Sequence, residues 1–190
     1  MARPITYDPD DALTRAIDLF WKNGYQAVSV NDIVRATGLN RHSLYARYGN
    51  KYGLLQAALQ RYCGETVERL RAPLVGPGTP RERIAKLMAL RDPDCPDAFW
   101  QRMLRQGCFG FRTAAELREV HPEIEAAVSV FGRQLQGMLA DLIREGQAAG
   151  EFRADRGADE LAAVLTGGFM APLILPPDAQ RNRAFLAILN

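Results

Sequence analysis

The apolar residues in the N-terminal third of the chain recur at three- and four-residue spacing, the period of a helix that buries one face. Four helices are predicted there, because each periodic run lies between residues that favour helix starts and stops. Asp8 and Pro9 open the first helix and Asn23-Gly24 ends it. The others are predicted from Ser29 to Gly38, from Asn40 to Tyr48, and from Asn50 to about Leu70.

The rest of the chain keeps the helical period after a Gly- and Pro-rich break at residues 76–80. Further helices are predicted at residues 80–91, 97–117, 122–149, 158–171 and 178–189. No stretch shows the sustained alternation of a β-strand. The sequence therefore predicts an all-α fold of about nine helices, in which an N-terminal three-helix domain is followed by a C-terminal helical body.

The second and third predicted helices are short and are joined by Thr37-Gly38-Leu39, the arrangement of a helix-turn-helix. Leu44 and Tyr48 are the large apolar residues of the third helix, so they are expected to face the core. The opposite face then carries His42, Ser43 and Ala46, and the flanks carry Tyr45 and Arg47. A helix of this kind suits a DNA major groove, with short or hydrogen-bonding groups towards the bases and polar groups towards the phosphates.

The distribution of charge supports a polyanionic partner more than the net charge of +2 does. Residues 1–62 contain eight Lys or Arg against five Asp or Glu, and residues 33–64 contain no acidic residue. Lys and Arg bind phosphates by displacing condensed counterions, although a solvated basic face would have the same composition. Arg41 is placed to reach a guanine or a phosphate, and Lys51 with the N–H groups of the fourth helix predicts a further phosphate site.

The segment Ser29–Lys51 resembles the DNA-binding segment of the TetR (tetracycline-repressor) family of bacterial regulators; it reads SVNDIVRATGLNRHSLYARYGNK. The resemblance extends upstream through ALTRAIDLFWKNGYQAVSV and downstream to Gly53-Leu54-Leu55, about a third of the chain. It implies a homodimer that binds a palindromic operator in double-stranded DNA, and a C-terminal body that binds a small-molecule inducer. Residues 1–53 are then the DNA-binding domain, and residues 54–190 the ligand-binding and dimerisation domain.

The same resemblance assigns roles to individual positions. Those that match the family's phosphate contacts are Ser29, Tyr45 and Lys51, and those that match base-facing positions are Arg41, His42, Ser43 and Ala46. Tyr48 stands where the family commonly has an apolar core residue. Arg47 lies at a variable flank position, where a phosphate contact is expected.

The C-terminal body is rich in bulky apolar residues, which predict either helical core or the lining of a ligand cavity. The candidates for a ligand or sensor site are Trp100, Met103, Cys108, Phe109, Arg112 and Met138. Because Arg105 and Arg112 are one turn from Cys108, they favour a reactive thiolate that senses electrophiles. The alternative is that Cys108 is an inert packing residue.

The last two predicted helices carry an apolar stripe with small residues, which predicts a dimer interface built from Leu161, Leu165, Phe169, Leu186 and Leu189. The alternative for this stripe is packing within one chain.

Other classes of function fit the sequence less well. Three cysteines without paired spacing indicate neither a disulfide framework nor a zinc site, and no cofactor or metal is expected. No signal peptide or membrane span is recognised, so a cytoplasmic protein is expected.

The sequence contains no phosphate-binding glycine loop, Gly-x-Ser-x-Gly or His-Glu-x-x-His motif, so an enzyme is not expected. A helical protein-interaction module remains an alternative, but it leaves the acid-free basic segment unexplained.

Overall fold

A computed structural model describes residues 9–170 and 179–190 of the chain. The described residues form ten α-helices and contain no strand. The predicted N-cap Asp8 and the predicted helix ends at Ala171 and Asp178 lie outside them. The helices are α1 Pro9–Asn23, α2 Val30–Thr37, α3 Arg41–Tyr48, α4 Lys51–Val75, α5 Pro80–Ala89, α6 Ala98–Gln106, α7 Phe109–Leu117, α8 Pro122–Ala148, α9 Ala158–Met170 and α10 Ala179–Ala187.

The all-α prediction is confirmed, with two differences in the elements. The helix predicted over 97–117 is two helices, because Gly107 ends α6 at φ 77° and α7 begins at Phe109. The fourth helix is longer than predicted, since it continues through Pro73 to Val75. A proline in the last turn of a helix costs it one backbone hydrogen bond, which did not stop the helix here.

The chain divides into two compact units. Unit 1 comprises Met1–Gly64 and Phe109–Glu125, and unit 2 comprises Glu65–Cys108 and Ala126–Asn190. This division differs from the predicted boundary after residue 53, because the first turns of α4 and the distant segment 109–125 share a core with the N-terminal helices. Among the described residues, no helix has both the length and the apolar character needed to span a membrane.

The core of unit 1 contains a cluster of three aromatic rings contributed by α1, α4 and α7. Phe109 is 1% exposed, and its ring centroid lies 5.4 Å from that of Tyr62, at an interplanar angle of 89°, and 6.2 Å from that of Trp21. Trp21 and Tyr62 also meet edge to face at 5.1 Å. Aromatic pairs prefer this geometry because the positive ring edge faces the negative ring face.

Unit 2 has its own core, in which α6 and α9 contribute large aromatic side chains. Trp100 and Phe169 are at most 2% exposed, and the guanidinium carbon of the buried Arg91 lies 5.1 Å and 4.3 Å from their respective ring centroids. A buried guanidinium next to two aromatic rings gains cation–π stabilisation that partly offsets its loss of water.

Candidate nucleic-acid interface

The turn between α2 and α3 has the backbone that the helix-turn-helix requires. Gly38 adopts the left-handed conformation (φ 73°) and its N–H donates to the carbonyl of Val34, which closes α2. The hydroxyl of Thr37 donates to the carbonyl of Ile33 and accepts from the N–H of Leu39. The turn is therefore held by local hydrogen bonds, and it fixes the direction in which α3 leaves α2.

The orientation of α3 agrees with the prediction. Leu44 is 0% exposed, whereas His42 and Ala46 are exposed on the opposite side. Asn40 caps the helix, since its Oδ1 accepts from the N–H of Ser43 at 2.7 Å. Tyr48 is half-buried, less than predicted for a core residue, because it ends the helix beside the exposed Gly49.

The flanks of α3 are also open. Tyr45 is 46% exposed, and Arg47 is exposed with its guanidinium carbon 5.7 Å from the ring centroid of Tyr48. Both side chains are accessible to a phosphate. Arg41 is exposed and its Nη2 donates to Oδ1 of Asn31 at 2.8 Å.

Asn31 is a candidate that the sequence analysis missed. It is exposed in the first turn of α2, and by accepting from Arg41 it restricts where that guanidinium points. The sequence did contain a signal for this candidate. Asn31 carries an amide and is the second residue of α2, and helix N-termini attract phosphates.

The start of α2 is stabilised by a complete capping box. Ser29 Oγ accepts from the N–H of Asp32, and the Asp32 carboxylate accepts from both the N–H and the hydroxyl of Ser29. The hydrogen bonds from Ser29, with further help from Arg35, lower the pKa of Asp32 to about 2. Ser29 is exposed, so the residue that caps α2 is also accessible for the predicted phosphate contact.

Lys51 lies at the start of α4, beside an aromatic residue that the sequence analysis also missed. Its ammonium nitrogen is 4.2 Å from the ring centroid of Tyr25. Partial burial lowers the pKa of Lys51, while the carboxylates of Glu116 and Asp32 act in the opposite direction. The ring thus holds the ammonium group in a defined place next to the N-terminus of α4.

The segment 109–125 contacts the N-terminal helices through polar groups as well as through Phe109. Arg112 Nη1 donates to the carbonyl of Trp21 at 2.9 Å, and the Glu116 carboxylate accepts from the N–H groups of Tyr25 and Gln26 at 2.9 and 2.8 Å. Phe109 and Arg112 were predicted to belong to a ligand or sensor site. The structure places both in unit 1, where they contact the N-terminal helices.

A second contact of the same segment involves Tyr52, His121 and Glu123. The rings of Tyr52 and His121 stack with centroids 3.8 Å apart, and Glu123 accepts from the Tyr52 hydroxyl. Burial, with further help from Glu123, raises the pKa of Tyr52 to about 12. This ring pair fixes the start of α8 against the start of α4 within unit 1.

The predicted sensor thiol is buried. Cys108 is 4% exposed. The guanidinium of Arg105 donates to Gln101, and that of Arg112 to Trp21. Both acceptors are neutral groups, and the burial of Cys108 fits a packing residue.

Of the remaining candidates for a ligand site, Trp100 and Met103 are fully packed in unit 2, at 2% and 1% exposure. Met138 is half-buried and lines a surface groove of about 300 Å³ together with Arg71, Arg83 and Glu145. Among the described residues, no group of His, Cys, Asp or Glu has a metal-binding arrangement.

The residues predicted to form the dimer interface pack within a single chain. Leu161, Leu165, Phe169 and Leu189 are at most 5% exposed within a single chain, and Leu186 is half-buried. The stripe is occupied by packing between α9 and α10, where a Cβ on Gly168 would lie 2.4 Å from Cγ of Phe185. The exposed side of α9 instead carries Ala163, Gly167 and Val164, the last 44% exposed.

Comparison with known proteins gives matches over most of the chain. Residues 12–58 match the family model described as "Bacterial regulatory proteins, tetR family", and residues 84–175 match "Tetracyclin repressor-like, C-terminal domain". The chain is 29% identical over 163 residues to the HTH-type transcriptional repressor ComR of Escherichia coli (strain K12), covering 86% of this chain and 76% of that protein. It is 28% identical over 165 residues to the transcriptional regulator AcuR of Cereibacter sphaeroides, covering 83% and 73%.

Solved structures show the same relationship. A cysteine mutant of the TetR family transcriptional regulator CifR, complexed with 26 bp double-strand operator DNA, is 26% identical with a TM-score of 0.71, covering 98% of this chain and 96% of that one. A TetR transcriptional regulator from Chloroflexus aurantiacus shares the fold with a TM-score of 0.72 at 24% identity, covering 95% and 90%.

Proposed function

We propose that this chain, which belongs to the tetR family of bacterial regulatory proteins, is a transcriptional repressor that binds a palindromic operator through the exposed face of α3. The observation that carries the proposal is the orientation of α3. Leu44 anchors the helix in the core, while His42 and Ala46 stand on its exposed side. The operator complex of the similar CifR protein supports the same function.

The residues divide into two roles according to their place on this surface. Base edges are read by Arg41, His42, Ser43 and Ala46, and phosphates are bound by Ser29, Tyr45, Arg47 and Lys51. The phosphate-binding residues come from the start of α2, the flanks of α3 and the start of α4, so they lie around the base-reading residues. Helix starts attract anions through their free N–H groups, so the backbone adds to these contacts.

A palindromic site requires two recognition helices related by a two-fold axis, so the active form is a homodimer. The exposed residues of α8 and α9 suit the interface better than the buried stripe does. Val130 and Val164 are 43% and 44% exposed, and Gly137 and Gly167 have open space where a side chain would stand. Small residues beside exposed valines permit close approach of helices from a second copy.

Release of the operator is assigned to a small-molecule inducer bound by the C-terminal helices. The burial of Cys108 favours this route over reaction of the thiol with an electrophile. A ligand that binds only the folded protein raises its unfolding temperature, so a thermal-shift screen identifies the inducer class.

Selection of bound duplexes from a random pool tests the DNA-binding proposal directly. A recovered palindrome is expected, and its affinity should fall steeply with salt concentration. Lys51→Ala is expected to reduce the slope of log affinity against log salt by about one, and Lys86→Ala, an exposed lysine of unit 2, to leave it unchanged. Recovery of no preferred duplex, or equal slopes for both variants, would contradict the proposal.

A further inference from the structure

The connection between α1 and α2 is held by a carboxylate from a distant part of the chain. Glu116 accepts from the N–H groups of Tyr25 and Gln26 at 2.9 and 2.8 Å. Gly24, which precedes them, has φ 80°, and a Cβ there would lie only 3.1–3.2 Å from the two carboxylate oxygens. The glycine therefore permits both the turn and the close approach of the carboxylate.

Arg112 binds the other side of the same connection. It lies four residues before Glu116 on α7, so the two side chains project from one face of the helix. Its Nη1 donates to the carbonyl of Trp21, in the last turn of α1. Arg112 and Glu116, called the clamp below, thus bind carbonyl and N–H groups on either side of the helix end.

The clamp leads directly to two of the proposed phosphate contacts. Tyr25, whose N–H it holds, carries the ring that lies 4.2 Å from the ammonium nitrogen of Lys51. The carbonyl of Tyr25 also accepts from the N–H of Val28, the residue before the α2 cap Ser29. Displacement of Tyr25 would therefore move the support of Lys51 and the approach to α2.

We propose that Glu116 is a positioning residue for operator binding, which fixes the 24–26 turn so that the Tyr25 ring places Lys51 on a phosphate. The inference rests on the proposed function, because it assigns to Glu116 a role in operator binding.

The sign of the effect separates positioning from simple electrostatics. Burial lowers the pKa of Lys51, and the negative charge of Glu116 is close enough to oppose that lowering. By charge alone, its removal would increase the attraction for phosphate and strengthen binding. Loss of the positioning contact predicts the opposite, weaker binding.

Glu116→Gln is the main test, because glutamine keeps the size of the side chain but has only one oxygen to accept from the two N–H groups. We expect operator binding to weaken about tenfold, the scale of one charge-assisted hydrogen bond. The matched control is Glu119→Gln, which removes the same charge from an exposed position three residues later. The control is expected to bind as wild type or slightly more tightly.

A double-mutant cycle tests the route through Lys51. In a Lys51→Ala background, Glu116→Gln is expected to cost less than about threefold, because the group that it positions is absent. Tyr25→Leu keeps both backbone hydrogen bonds and is expected to weaken binding to a similar extent as Glu116→Gln. Operator affinity of Glu116→Gln equal to or above wild type, or the same loss in both backgrounds, would overturn the inference.

The two proposals fail in different ways. If the wild-type protein selects no duplex, the proposed function itself fails. If the wild type binds its selected operator and Glu116→Gln binds equally well, only the positioning role fails.

Discussion

Replacement of Phe109 by alanine is expected to destabilise unit 1 severely, although Phe109 lies far along the chain from the DNA-binding helices. Its side chain is 1% exposed and packs against the rings of Trp21 and Tyr62. Truncation of a buried phenylalanine to alanine costs about 3–5 kcal/mol. The edge-to-face contact with Tyr62 accounts for about 0.5–1.5 kcal/mol of that loss.

Phe111→Ala is the matched control, since it makes the same chemical change two residues later on the same helix. Phe111 is 38% exposed, and substitutions at the surface change stability by about 0.5 kcal/mol. For a chain of this size, 1 kcal/mol corresponds to a shift in unfolding temperature of about 2–4 °C. Phe109→Ala should therefore lower that temperature by roughly 6–20 °C, and Phe111→Ala by about 2 °C or less.

Thermal and urea unfolding followed by circular dichroism measure both variants under one set of conditions. If Phe109→Ala were no less stable than Phe111→Ala, Phe109 would not be a core residue, and the original interpretation as the lining of a ligand cavity would regain support. Operator binding by Phe109→Ala should also weaken, since the unfolded fraction of unit 1 carries no intact helix-turn-helix.

Three further predictions follow from the local geometry of the DNA-binding surface and of α9. The pKa of Asp32 is lowered from 3.8 to about 2, so its stabilisation is present above pH 3.8 and is lost as the pH falls towards 2. The difference in unfolding free energy between wild type and Asp32→Asn should therefore shrink over that interval, and a constant difference would contradict the capping role. Asn31→Ala should weaken operator binding by about threefold to tenfold, because Arg41 loses its hydrogen-bond partner. It should also relax the sequence preference at the base that Arg41 reads. Selection of duplexes with the variant measures that preference, and an unchanged consensus would contradict the prediction. Val164→Glu should shift the protein from dimer to monomer in sedimentation velocity. Because Val164 is 44% exposed, any fall in the unfolding temperature should reflect only the loss of association. An unchanged dimer would place the interface elsewhere.

The helix-turn-helix was predictable because its signals are short in sequence. Gly38 must turn, Asn40 caps the next helix, and Leu44 is the large apolar residue that fixes which side of α3 faces inward. Each signal acts within a few residues of the feature that it determines, and the three agree with one another. The orientation of α3 followed from them without knowledge of the rest of the fold.

Two parts of the structure were beyond this reasoning for different physical reasons. The contact of Glu116 with Tyr25 and Gln26 spans about ninety residues of sequence, and no local pattern marks a carboxylate that accepts from a distant backbone. On α9 the difficulty was that apolar residues occupy both sides, so spacing alone could not tell the inward Leu165 from the outward Val164. Burial against the same chain and burial against a second copy favour the same residue types.

The composition of unit 1 from two separate stretches has a consequence for engineering. A chimaera that transplants only residues 1–64 onto the body of another regulator leaves behind the partners of Trp21 and Tyr62 on α7. Such a graft leaves apolar surface of Trp21 and Tyr62 uncovered unless the new host supplies side chains that pack against it. Changing the operator preference of a relative should succeed more often when residues 109–125 travel with the N-terminal helices, or when only the outward residues of α3 are exchanged.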